Sequence, residues 1–73
     1  MSDEEIERMN KMMSNNLKAA RIRSGFTQGE VAKCLKIDRK TYNRWENKPL
    51  FVRPSELLPA LALYGISPKM LHD

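Results

Sequence analysis

The sequence has one cysteine, Cys34, and one histidine, His72, in 73 residues. A lone thiol closes no disulfide within the chain and builds no cysteine-based zinc cluster. That scarcity suits a reducing, cytoplasmic setting. Cys34 has no visible His or Cys partner and reads as inert. His72, close to the end, reads as a surface residue, not a catalytic group or a metal ligand. No apolar run nears the roughly 20 residues of a membrane span. The longest, Leu57 to Tyr64, is interrupted by Pro59. The N-terminus is acidic and lacks an apolar signal core, which argues against secretion. Also missing are a nucleophile–base set, paired carboxylates and a phosphate-binding glycine loop, so neither an enzymatic step nor a cofactor is expected.

What remains is one small domain. A chain this short buries little core, and helical packing is the usual solution without disulfides or metal. An all-α fold is therefore expected. The charge is uneven. Through Met9, four carboxylates (Asp3, Glu4, Glu5, Glu7) stand against Arg8, a net of −3; the whole is +4, so the remainder carries +7. A basic body with an acidic head suits either a polyanion-binding domain or merely a soluble surface. The placement of the charges decides between them.

Thr27 to Glu46 carries that placement. Thr27 with Glu30 makes a capping-box pattern, and Val31, Ala32 and Leu35 fall on one helical face. Lys36-Ile37 reads as a tight turn. Asp38 reads as the N-cap of a second helix, its carboxylate accepting free N–H groups. Tyr42 and Trp45 form that helix's inner face. Arg39, Lys40, Asn43 and Arg44 form its outer face. A guanidinium reads guanine bidentately, a carboxamide reads adenine, and a helix of this size fits the major groove of B-DNA. Taken without that frame, Arg39, Lys40 and Arg44 are equally a solvated face.

Arg21, Thr27-Gln28, Ala32, Leu35, Ile37, Tyr42, Trp45 and Glu46 stand in an ordered set. Pro54-Ser55, Leu57-Leu58, Leu61 and Gly65-Ile66-Ser67 continue it. In these residues the chain resembles the lambdoid phage repressor and Cro-type helix-turn-helix domains, over roughly Ser14 to His72. The resemblance implies a compact five-helix bundle of lambda-repressor type spanning 14–73. It implies an operator-binding regulator, expected as a homodimer on double-stranded DNA. It implies a structural ion pair between Arg21 and Glu46, and a phosphate contact from Gln28. Arg39, Lys40, Thr41, Asn43 and Arg44 would meet bases or backbone, and Lys48, with Arg53, flanking phosphates. Lys36 departs from the pattern: the family usually has Gly there, because the turn tends to need positive φ.

Residues 1–13 lie outside that resemblance. Ser2 with Glu5 makes another capping-box pattern, and Ile6, Met9 and Met13 share a face. This acidic extension is expected to be helical, either continuous with the next helix or broken near Ser14-Asn15-Asn16; a frayed tail is the alternative. Leu17 and Ala20, with Ile22 nearby, should pack inward, Gly25 should end that helix, and Phe26 should plug the core. A fourth helix should start near Ser55 or Glu56, with Ser55 as cap and Pro59 in its first turn or at a kink. Ser67-Pro68 should open a short fifth helix to about Leu71, with Ile66, Met70 and Leu71 closing the core. The Met-rich head and Phe51-Val52 motivate a second reading, a module that docks on a repressor protein's DNA-binding domain.

Overall fold

A computed structural model describes residues 2–65. Among them are four α-helices, one 3-10 turn and no strand: α1 (Asp3–Arg23), α2 (Gln28–Leu35), α3 (Arg39–Asn47), the turn Pro49–Phe51 and α4 (Pro54–Leu63). The expected fifth helix, with Ile66, Met70, Leu71 and His72, lies outside the described residues.

The acidic extension and the first core helix are one element. Ser2 caps it, its Oγ accepting the Glu5 N–H at 3.2 Å. Asp3, Glu4 and Glu5 occupy the first turn, and Arg21 and Arg23 the last. Both ends therefore complement the helix dipole. The helix runs unbroken through Ser14-Asn15-Asn16 because tertiary packing overrides weak propensity. Asn10, Ser14, Leu17 and Ala20 are its buried positions. That stripe corrects one expectation, the inward packing of Ile22. Asn10 is buried, and Met9 beside it is exposed. Ile22 lies two residues past the stripe and is 65% exposed.

Helix α1 ends in a Schellman arrangement. Gly25 N–H bonds the Ile22 carbonyl and Phe26 N–H the Arg21 carbonyl, with Gly25 at φ 83°. That reversal turns Phe26 back onto the core, where its ring meets Tyr64 at a centroid distance of 6.4 Å. The capping box of α2 is reciprocal: Glu30 N–H donates to Thr27 Oγ1 (3.1 Å) and Thr27 N–H to Glu30 Oε1 (2.9 Å). The backbone donor of Thr27 and its hydroxyl hold the exposed Glu30 carboxyl below its ordinary value.

Lys36 closes α2 in the left-handed conformation, φ 59° and ψ 44°. Its N–H bonds the Lys33 carbonyl and the Ile37 N–H bonds that of Ala32. This is the geometry glycine takes freely, and a Cβ there is strained. Lys36→Gly should therefore stabilise the fold by about 0.5–1 kcal/mol, the relief of strain exceeding the added chain entropy. A urea titration reads this as a raised midpoint; a lowered one would show that Lys36 is held by something besides its backbone.

Three further details of α3 and α4 differ from expectation. Asp38 stands at the N-cap position of α3, and its carbonyl accepts the Tyr42 N–H, but its carboxylate makes no capping bond. Ser55 is not the cap of α4, because Pro54 takes the first helical position and Arg53 precedes it. Pro59 sits in the second turn, not the first, within a continuous helix. The N–H it lacks would have met the Ser55 carbonyl. Both residues are exposed, so water can serve that oxygen.

The core is Leu17, Ala20, Val31, Ala32, Tyr42, Leu57, Ala60, Leu61 and Tyr64, ringed by half-buried Phe26, Leu35, Ile37, Trp45, Val52 and Leu63. Trp45 belongs to the ring, not the centre. The fully buried pair on α3 is Tyr42 and Glu46, four residues apart. The Tyr42 and Tyr64 hydroxyls are hydrogen-bonded to each other, and burial pushes both phenols above the ordinary tyrosine range. Tyr42→Phe leaves the Tyr64 hydroxyl buried without that partner and should cost about 1–3 kcal/mol. Removing both hydroxyls should cost less than the two single changes together. A double-mutant cycle by urea denaturation measures the difference, and strict additivity would deny the bond.

Candidate nucleic-acid interface

The site starts from a buried carboxylate. Glu46, at the inner C-terminal end of α3, accepts from Arg21 twice: Nε to Oε2 at 2.8 Å and Nη2 to Oε1 at 3.2 Å. The Arg21 side chain is 13% exposed, and that of Glu46 is fully covered. Arg21 Nη1 donates to the Phe26 carbonyl at 2.9 Å, tying the fork to the turn after α1. Burial raises the Glu46 carboxyl, yet the hydrogen bonds led by Arg21 and the Arg21 charge hold it below the usual carboxylate range. The same bond raises the Arg21 guanidinium above its ordinary value.

From Glu46 a chain of amides runs outward. Gln28 Nε2 donates to Glu46 Oε1 (3.1 Å), Asn43 Nδ2 donates to Gln28 Oε1 (3.1 Å), and Asn47 Nδ2 donates to Asn43 Oδ1 (3.0 Å). The first residue of α2 is thereby locked to the middle of α3. Gln28 and Asn43, taken separately as a phosphate contact and a base reader, are partners of each other. Each retains one amide hydrogen and further acceptor capacity for an outside ligand.

Tyr42 and Glu46 are the inward residues of α3. Arg39, Lys40 and Arg44 are exposed, and Thr41 is half-buried. A shallow cleft on one side is lined by Arg21, Thr27, Gln28, Gly29 and Arg39. Another is lined by Arg44, Trp45, Lys48, Phe51, Val52, Arg53 and Glu56. The helix thus presents two arginines and a lysine, with further cations beyond its C-terminal end. A rigid basic ridge between two clefts suits a groove walled by phosphates. Among the described residues, no group of three or more His, Cys, Asp or Glu is placed to hold a metal ion. No helix among them is long and apolar enough to cross a membrane.

Residues 17–71 match the model of the helix-turn-helix family. The chain belongs to that family. The unit in this helix-turn-helix protein is α2, the Lys36 turn and α3, and the family's role is DNA-binding regulation. No curated protein and no solved structure matches the chain at a level that establishes a closer relationship. Two parts of the helix-turn-helix site were not foreseen. The Gln28–Asn43 pairing joins residues 15 apart in sequence, with no local signal. The seat of the loop after α3 depends on Asn10, a polar residue whose burial periodicity alone does not announce.

Proposed function

We propose that the protein is a sequence-specific transcription regulator of phage repressor/Cro type that acts in the cytoplasm on operator DNA. The observation that carries this reading is the orientation of α3: Tyr42 and Glu46 inward, Arg39, Lys40 and Arg44 outward. In this reading α3 lies in the major groove. Arg39 and Lys40 on its first turn and Asn43 and Arg44 on its second reach base edges, while Thr41, Gln28 and Lys48 contact backbone or bases. Gln28 also holds Asn43 in place. One domain of this size contacts few bases, so two copies would bind a two-fold site with half-sites about 34 Å apart. Selection of bound duplexes from a randomised pool tests this. Enrichment of a two-fold sequence supports the reading; recovery of unrelated sequences at equal affinity rejects it.

A second reading has its own observation. Phe51 is 71% exposed, with Leu50 and Leu58 also open to solvent. Apolar side chains at the surface suit a module that docks on a repressor's DNA-binding domain. Binding to such a domain without affinity for any duplex would favour it over operator binding.

A further inference from the structure

The 3-10 turn Pro49–Phe51 joins α3 to α4, and its backbone donors can be accounted for one by one. Proline 49 has none. Phe51 N–H donates to the Lys48 carbonyl at 3.1 Å and Val52 N–H to the Pro49 carbonyl at 3.2 Å. Leu50 is left, the first donor of the turn, with no acceptor inside it. Its N–H donates to Asn10 Oδ1 at 2.9 Å, from 40 residues away. Among the described residues, Asn10 is one of three buried polar residues, with Ser14 and Glu46. An asparagine buried mid-helix is unfavourable by propensity and by desolvation unless its amide is used. Here it is used to seat a turn that α1 packs against, above a fully buried Pro49.

The turn carries cations at both ends. Lys48 precedes it, Arg53 follows Val52, and with Arg44 they line the cleft beside α3. Glu56 shares that cleft, but none of the three cations is in an ion pair among the described residues. We propose that Asn10 is a positioning residue for DNA phosphates: by holding Leu50 it sets Lys48 and Arg53 against the backbone flanking the groove that α3 enters. The inference rests on the DNA-binding reading above. It gives a role to a segment ahead of residue 17, where the family match begins.

The test compares the native chain with Asn10→Leu and Asn10→Asp, the latter keeping an acceptor in place. Binding to a mixed-sequence DNA duplex is measured across a salt series. Asn10→Leu should bind roughly tenfold more weakly at low salt, and its log–log salt slope should fall by about 0.9–1.8, one to two phosphates. Asn10→Asp should restore both. A merely structural role would lower the unfolding midpoint and leave the salt slope of the folded protein unchanged; that result overturns the proposal. Should Asn10→Leu not fold, Asn10→Ser, too short to reach Leu50, takes its place. Hydrogen exchange of the Leu50 amide judges the contact without DNA. It should be protected in the native chain and in Asn10→Asp, and fast in Asn10→Leu; fast exchange in the native chain overturns the contact itself. A native chain that is protected at Leu50 yet binds no duplex refutes the DNA-binding reading, and the positioning role with it.

Discussion

Replacing Glu46 by leucine should cost about 3–5 kcal/mol, the penalty for leaving one member of a covered ion pair without the other. Arg21 would keep its charge at 13% exposure with only the Phe26 carbonyl for a partner. Gln28 would lose its acceptor, and the amide chain to Asn43 would lose its anchor. Small domains hold only about 5–15 kcal/mol in total, so the loss removes much of the margin. Glu46→Gln keeps the shape and one oxygen and should cost less. The pH dependence has a definite sign. The Glu46 carboxyl is held below its ordinary value in the folded chain, so its contribution is complete above the unfolded pKa of about 4.3. It is lost as pH falls through the lower, folded value. Native protein should therefore weaken on acidification below about pH 4 more steeply than Glu46→Gln does. Urea denaturation at pH 7 and in acid measures both effects. A loss under about 1 kcal/mol for Glu46→Leu would mean the pair is incidental.

The second large effect concerns the exposed arginines of the same helix. Arg39→Ala and Arg44→Ala should each weaken binding to the selected sequence by about 1–3 kcal/mol, or roughly 5- to 150-fold. Both side chains are exposed and outside any ion pair among the described residues, so folding stability should barely change. The loss should be greater for the selected sequence than for an unrelated duplex, because a base contact confers discrimination and a phosphate contact does not. Lys48→Ala, at a flanking phosphate, should weaken both duplexes alike and reduce the salt slope by about 0.9. Competition binding with the two duplexes separates these outcomes. Equal loss on both for Arg39 and Arg44 would reassign them to the backbone.

Much of this was legible because it is local. The capping box at Thr27 and Glu30, the glycine turn after α1 and the outward set on α3 follow from spacing and side-chain chemistry. Position 36 was legible through the resemblance: a turn usually built with glycine takes φ 59° here with lysine. Some misses are local, the caps assigned to Asp38 and Ser55 and the place of Pro59; the others are tertiary. Trp45 fits the apolar period of α3, yet Glu46 holds the buried place, because Arg21 reaches it from another helix and neutralises the cost of covering a carboxylate. Asn10 is buried without any periodic signal, and its amide oxygen accepts from a turn 40 residues later. Ile22 reads as core by type and faces solvent, because the buried positions of α1 are Asn10, Ser14, Leu17 and Ala20. Polar pairing across long separations leaves no periodic trace.

The most direct test maps where DNA touches the protein. The selected duplex is titrated into isotope-labelled protein, and the backbone and side-chain amide resonances are followed residue by residue. The predicted result is that the largest shifts fall on Arg39, Lys40, Thr41, Asn43, Arg44, Gln28 and Lys48, with Tyr42 and Glu46 following only as neighbours. Shifts concentrated on Glu4 to Lys11 or around Leu58, with α3 silent, would contradict the assignment of α3 as the reading helix.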